Sequence, residues 1–320
     1  MTNLRIISCG AHEVLAKAIA DQPVLRLHAG GLVGRTLDEF QDHETRVQIE
    51  DNVRGCDVYV IQPTCPPANH TLMELLITVD ALRRASAHHI TAVMPFFGYA
   101  RQDRKDRPRV PITAKLVANL LVAAGVQRVL TLDLHAAQIQ GFFDIPADNL
   151  EAMPVFVPEI RALNLRDLVI VTPDIGGIKR AKSYAAALGA KFAIVDKDRI
   201  SDEKVRATAL IGEVENCEVL IVDDMTETAG TVVEAAKLLE EQGAKRIFAA
   251  VTHGVLSGKG RDRIANSPIE LMLVTDSVPQ AHGKKVRAVS VAPLLAEAIA
   301  RTHFGESVTR LFQVPALAKA

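Results

Sequence analysis

The sequence predicts an α/β fold of two similar domains, each a mainly parallel sheet flanked by helices. Three observations predict it. Short β-rich runs recur and are apolar almost throughout. Segments with helical periodicity separate most of them. One helix–strand segment occurs twice.

The β-rich runs are DVYVIQ (57–62), ITAVMP (90–95), RVLTLD (128–133), DLVIVTPD (167–174), KFAIVD (191–196), EVLIVDD (218–224), RIFAAVTH (246–253) and KVRAVS (285–290). Strands without a polar face need cover on both sides, which parallel sheets obtain from crossover helices. The segment TLMELLITVDALRRASA supplies one such helix, because Leu72, Leu75, Leu76, Val79 and Leu82 fall on one face.

The duplicated segment is LLVAAGVQRVLTLDLH and LLEEQGAKRIFAAVTH, in which Gly125, Arg128 and His135 match Gly243, Arg246 and His253. Both glycines suit the left-handed residue that ends a helix. The repeat and the 320-residue length predict a domain at 1–150, a second at 151–300, and a segment 301–320 packing back on the first. The seam is expected near residues 145–165, where Pro146, Pro154 and Pro158 cluster.

Composition narrows the function. A formal net charge of −1 gives no global attraction to nucleic acid or anionic lipid, so any anion must be held by a local patch. Cys9, Cys56, Cys65 and Cys217 lie far apart with no Cys-x-x-Cys spacing, which argues for reduced thiols rather than a zinc site or disulfide framework. No secretion signal is visible in MTNLRIISCG, and the uncharged stretch Leu116–Gln127 is 12 residues where a membrane span needs about 20. A cytoplasmic protein with neither a membrane nor a nucleic-acid partner is expected.

Three segments can carry chemistry. In VLIVDDMTETAGT (219–231) a core strand ends in Asp223 and Asp224 and is followed by Thr226, Thr228, Gly230 and Thr231 before a helix begins. Ligands of open α/β sheets bind beyond the carboxyl ends of strands, where helix N-termini present amides suited to phosphate. The acids then suit sugar hydroxyls or a hydrated Mg²⁺. A plain strand and capped helix would use the same residue types.

The second segment, FFGYARQDRKDRPRVP, sets Arg101, Arg104, Lys105, Arg107 and Arg109 against Asp103 and Asp106 directly after a strand. Guanidinium forks match phosphate oxygens, so the loop can take a polyphosphate, although alone it equals a solvated charged turn. The third segment leaves His135 past one strand and Asp174 past a later one. Together they can contact one Mg²⁺ carrying a nucleotide polyphosphate, with Gly176 and Gly177 leaving room. Mg²⁺ prefers oxygen, so Asp174 is the stronger ligand of the pair.

The loop 223–231 resembles the phosphoribosyl-pyrophosphate loop of type I phosphoribosyltransferases, with Glu227 where Asp is usual. Taken in order, ISCGAHEVLA, YARQDRK, ITAKL, DLHAAQIQGFFD, PDIGG, DDMTETAGT and HFGESVTRLF resemble the ribose-phosphate pyrophosphokinase (phosphoribosyl pyrophosphate synthetase) family along nearly the whole chain. The resemblance implies two phosphoribosyltransferase-like domains, usually in hexamers. It also implies transfer of the β,γ-diphosphate of ATP to the C1 hydroxyl of ribose 5-phosphate, with Mg²⁺.

The resemblance further implies an ATP site of Phe40, Asp42, His43, Glu44, Arg101 and Gln102, with His43 in place of Gly and Glu39 in place of Arg. It places Mg²⁺ at His135 and Asp174. Ribose 5-phosphate falls to Arg199, Asp223, Asp224, Glu227, Thr228, Ala229, Gly230 and Thr231. A catalytic pair, Lys197 and Arg199, is expected on a mobile loop, with Asp198 in place of Arg. Arg104, Ser307 and Thr309 fall in segments similar to a subunit-interface allosteric site. Two other functions use overlapping features: a phosphoribosyltransferase consuming phosphoribosyl pyrophosphate, and a non-catalytic regulatory paralogue. The first leaves FQDHE and YARQDRK unexplained.

Overall fold

The computed structural model describes residues 3–199, 205–281 and 283–314, with the side chains of 197–199 and 205–208 outside the description. The chain divides into two compact units. One holds the residues up to Glu151 together with Ser277–Pro279 and Val291–Phe312; the other holds Ala152–Asp276 and Gln280–Ser290.

Unit 1 is built on five strands, β1 (Leu4–Ser8), β4 (Asp57–Ile61), β5 (His89–Met94), β6 (Arg128–Leu132) and β7 (Ala147–Leu150), which lie side by side in that order. Every neighbouring pair is parallel. A separate antiparallel hairpin, β2 (Arg35–Glu39) and β3 (Thr45–Ile49), stands outside this sheet. Helices α1 (Glu13–Ala20), α2 (Pro23–Ala29), α3 (Ala68–Arg84) and α4 (Thr113–Ala124) cover it. The predicted stripe on α3 is its buried face: Leu72, Leu75, Val79 and Leu82 enter a core with Val58, Val60, Ala92, Met94 and Val129. Burial of side chains of this size contributes about 1.5–3 kcal/mol each.

Unit 2 holds α5 (Met153–Ala162), β8 (Leu168–Thr172), α6 (Ile178–Leu188), β9 (Lys191–Arg199), β10 (Val205–Ile211), β11 (Glu218–Thr226), α7 (Gly230–Glu241), β12 (Arg246–Gly254), α8 (Gly260–Ala265), β13 (Ile269–Thr275) and β14 (Val286–Val289). Its strands lie in the order β10-β9-β8-β11-β12-β13-β14. Only the β9–β10 pair is antiparallel. From β8 the chain winds outward through α6 to β9, whereas from β11 it winds the other way through α7 to β12. The β8–β11 boundary is therefore a topological switch point, where connections leave to opposite sides and open a crevice past the strand ends.

The repeat seen in the sequence aligns the two sheets. Gly125 follows α4 with φ +121° and leads into β6, and Gly243 follows α7 with φ +82° and leads into β12. With β6 matched to β12, the run β4-β5-β6-β7 corresponds to β8-β11-β12-β13. The fifth position is filled by β1, which precedes its neighbour in the chain, or by β9, which follows it.

Two expectations need correction. The sequence places Lys197 and Arg199 on a loop after a strand ending in Asp196; the strand instead continues through Arg199 and pairs with β10, Lys197 opposite Ala207 and Arg199 opposite Val205. Alternating charges in DKDR look like a loop, but a strand edge tolerates them once a partner strand satisfies the backbone. The expected boundary at 300/301 falls inside α9 (Ala292–Phe304), which belongs to unit 1 from Val291 and packs against α1 and α2.

Candidate active site

The polar end of β11 emerges at the switch point of unit 2. Val219–Val222 are buried in the core, and Asp223 and Asp224 follow with side chains only 12% and 8% exposed. Carboxylates this enclosed need compensation. Arg180, in the first turn of α6, supplies it: its Nη1 lies 3.3 Å from Asp223 Oδ1 and 3.2 Å from Asp224 Oδ1. The Asp224 amide also donates to Asp223 Oδ1 at 2.9 Å. Burial nevertheless raises the Asp223 carboxyl well above its ordinary range; Asp224 and Asp174 add to the rise and Arg180 opposes it.

Asp174 follows β8, the neighbour of β11, and its Oδ1 accepts the Gly177 amide at 3.1 Å just before α6. Of the two following glycines, Gly177 packs against the protein rather than clearing space for a ligand, contrary to expectation. A Cβ on Gly177 would stand 2.1 Å from Thr172 Oγ1, and one on Gly176 3.2 Å from Asp174 Oδ1. Gly177 is required by the tight turn itself.

After β11 the chain makes a short turn into α7. Ala229, the residue before that helix, has the left-handed φ of +61° and a buried methyl. Among the described residues, no hydrogen bond leads away from the amides of Thr228, Ala229, Gly230 or Thr231. A Cβ on Gly230 would meet nothing nearer than 3.8 Å, so the space above this turn is open. Amides without a protein acceptor at a helix N-terminus, beside open space, suit a phosphate. Glu227 and Thr228 are exposed at the rim of this turn.

The candidate residues of unit 1 lie on loops and on the hairpin. Phe40 is 50% exposed, with the Arg46 guanidinium 5.5 Å over its ring. Arg46 also forms a forked pair with Asp38, at 2.7 and 2.5 Å, which lowers the Asp38 carboxyl. His43 has φ +67° at the hairpin tip and faces Glu39 Oε2 at 3.1 Å. The two departures from the family pattern thus touch each other. Asp42 and Glu44 are exposed beside them, and Asp42 Oδ1 accepts the Glu44 amide at 3.2 Å.

Arg101 and Gln102 are exposed after β5, and Gln102 Oε1 accepts the Thr113 hydroxyl at the start of α4. His135 is exposed after β6. Its counterpart in the repeat, His253, is buried within β12. Arg104 is exposed in the basic loop. Ser307 donates to Thr309 Oγ1 at 3.0 Å, and neither hydroxyl bonds Arg104. The side chains of Lys197 and Arg199 lie outside the described residues.

Sequence reasoning missed Arg180 and Arg263. Arg263, on α8, donates from Nη1 to the Thr228 carbonyl at 2.9 Å. Their partners lie 43 and 35 residues away along the chain, so no local pattern marks them. The one available signal was placement: each sits in a short segment that a strand of the parallel sheet delivers to the same sheet end.

Comparison with known proteins agrees with this layout. Residues 4–125 match the N-terminal domain of ribose phosphate pyrophosphokinase, and residues 199–313 match the phosphoribosyl synthetase-associated domain. The chain is 49% identical over 313 residues to the ribose-phosphate pyrophosphokinase of Campylobacter jejuni, covering 98% of this chain and 100% of that one. It is 50% identical to the Burkholderia pseudomallei enzyme of the same name, over 97% of each chain. The crystal structure of phosphoribosylpyrophosphate synthetase from Mycobacterium smegmatis superposes with a TM-score of 0.88 at 38% identity, covering 95% of this chain and 100% of that chain. With relatives about half identical along nearly its whole length and two domain models of the family matched in order, the chain belongs to the ribose-phosphate pyrophosphokinase family.

Proposed function

We propose that the protein transfers the β,γ-diphosphate of ATP to the C1 hydroxyl of ribose 5-phosphate, giving phosphoribosyl pyrophosphate and AMP. The observation that carries this reading is the turn 228–231: its outward amides suit a sugar phosphate, and Asp223 and Asp224 stand at the end of the strand that feeds it. The 5-phosphate takes the amides of Thr228, Ala229, Gly230 and Thr231, and the ribose hydroxyls donate to Asp223 and Asp224, with Glu227 at the rim. In unit 1, Phe40 offers a stacking face for the base, Asp42, His43 and Glu44 its polar contacts, and Arg101 and Gln102 meet the phosphates.

The carboxylates of unit 2 suit a hard divalent cation. Asp174, Asp223 and Asp224 present oxygens in an enclosed environment that raises the Asp223 carboxyl, a cost that a cation would offset. Among the described residues, no three His, Cys, Asp or Glu side chains converge closely enough to hold an ion unaided. The cation proposed is Mg²⁺, which keeps several waters and takes one or two carboxylates beside substrate phosphates. Asp174 in unit 2 and His135 in unit 1 are each proposed as a Mg²⁺ ligand, and the ion would neutralise charge on the transferring phosphates.

Diphosphoryl transfer concentrates negative charge on the bridging and leaving oxygens, so fixed cations accelerate it more than a strong base. Lys197 and Arg199 on β9 are proposed for that role. Assembly into a homohexamer, and control through Arg104, Ser307 and Thr309, belong to the same reading. No helix of the described residues is long and apolar enough to cross a membrane.

The test is an assay for AMP formed from ATP, Mg²⁺ and ribose 5-phosphate, repeated with GTP as donor and with inorganic phosphate varied. AMP release that depends on ribose 5-phosphate is expected. Release of diphosphate from phosphoribosyl pyrophosphate and a free base, with no AMP formed from ATP, would replace this reading with base transfer.

A further inference from the structure

We infer that Arg263 is a positioning residue for the phosphate cradle: through the Thr228 carbonyl it turns the Ala229 amide toward the sugar phosphate. The inference deepens the reading of residues 228–231 as a phosphate site and rests on it.

The geometry starts with three consecutive carbonyls. Thr226 O accepts the amides of Val255 and Leu256 at 3.0 and 3.3 Å. Glu227 O accepts the Ser257 amide at 2.7 Å and its hydroxyl at 3.2 Å. Thr228 O accepts Arg263 Nη1 at 2.9 Å. The segment 255–263 therefore draws each carbonyl of the turn to its own side. These peptides are trans, and in a trans peptide the C=O and the following N–H point in opposite directions. Fixing Glu227 O aims the Thr228 N–H away from that segment, and fixing Thr228 O does the same for the Ala229 N–H.

The third peptide most needs a brace. Ala229 sits at φ +61°, a region that is unfavourable for an L residue with a Cβ and persists only where its surroundings over-determine it. Its methyl is buried, its carbonyl accepts the Val233 amide at 3.0 Å, and its entering peptide is held by Arg263. Backbone donors hold the first two carbonyls. The Thr228 carbonyl depends on a side chain, and Arg263 alone among the described residues supplies it.

The guanidinium is also placed to add charge. Arg263 Nη1 is one of two atoms within 4 Å of where a Gly230 Cβ would stand, at 3.8 Å, the other being Thr228 Oγ1. The open space over the cradle therefore has a cation at its edge.

The experiment compares the full-length chain with Arg263→Ala and Arg263→Lys. Ribose 5-phosphate binding is measured by calorimetry, KM for both substrates by AMP release, and amide hydrogen exchange across 226–233 without ligand. Arg263→Ala is expected to weaken ribose 5-phosphate about 10- to 100-fold, to raise its KM similarly with little change in the KM for ATP, and to alter exchange at Ala229 and Gly230. Arg263→Lys, which keeps a charged donor, should recover part of the loss. Wild-type affinity and exchange in Arg263→Ala would overturn the inference. Equal losses in both KM values and in the unfolding midpoint would do so too, by showing a general role in folding. If the wild-type chain failed to bind ribose 5-phosphate, the phosphate reading itself would fall, while exchange at Ala229 would still decide whether Arg263 orients the turn.

Discussion

Unit 1 and unit 2 share a sheet layout but hold their candidate residues in opposite ways. In unit 2 the acids belong to a core strand, are nearly enclosed, and are held by Arg180 beside a turn whose carbonyls are all engaged. In unit 1 Phe40, Asp42, His43, Glu44, Arg101, Gln102 and His135 all lie on exposed loops or a hairpin tip outside the sheet. The cause is topological. Unit 2 has a switch point between β8 and β11, which opens a crevice at the strand ends, whereas the strands of unit 1 follow one another across the sheet in chain order. A crevice lets the fold set side chains in place before any ligand arrives; without one, residues for a large, solvated ligand must be gathered from the surface. Changes at the site of unit 2 should therefore alter both stability and chemistry, and those in unit 1 mainly affinity.

The largest expected effect tests whether the cations of unit 2 act in the transition state. Lys197→Ala should lower kcat by about 100-fold or more while moving the KM for ATP far less. Steady-state kinetics checks this, and equal losses in both would remove Lys197 from that role. Next is Gly177→Ala, whose added methyl would collide with Thr172; about 1–3 kcal/mol of destabilisation is expected in urea unfolding. A wild-type midpoint there would mean the turn beside Asp174 relaxes freely, and the contrast with unit 1 would blur.

A third prediction concerns pH. Burial, with Asp224 beside it, raises the Asp223 carboxyl in the folded chain above its ordinary value near 3.8. A raised carboxyl favours the folded state below the ordinary range, and that contribution is lost as pH rises through the folded value. At neutral pH the wild type therefore bears the cost of an enclosed charge that Asp223→Asn does not. The variant should melt a few degrees higher at pH 8, the gap should shrink towards pH 4, and ribose 5-phosphate binding should be lost. A gap that widened on acidification would contradict the cause assigned to the shift.

The smallest effect belongs to unit 1. His43→Gly relieves the positive φ at the hairpin tip but gives up the contact with Glu39, an exposed pair of small value. Unfolding should change by less than about 1 kcal/mol, and only the KM for ATP should respond. A large loss of stability would show that the hairpin is held as firmly as the acids of β11.

Much of the fold was legible because its signals are local. Apolar runs marked the strands at 57–62, 90–95, 128–133, 167–174, 218–224 and 246–253, and Gly125 and Gly243 marked two helix ends. Strands β1, β2, β3, β7, β10 and β13 were not marked; β2, β3 and β7 are largely half-exposed and lack a continuous apolar run. Type and spacing marked the acids and turn of 223–231 as a strand end before a helix, and the family resemblance gave them a role. Arg180 and Arg263 could not, because what makes them relevant is a bond to a residue brought near only by the crossover of a parallel sheet.

The return of α9 to unit 1 has a practical consequence. Leu294, Leu295 and Ile299 are buried in this helix, which packs against α1 and α2 although the whole of unit 2's main segment intervenes in the chain. A fragment stopped at residue 151 would leave that apolar seam open to water and invite aggregation. An autonomous version of this half would have to be spliced, carrying 291–312 behind a linker.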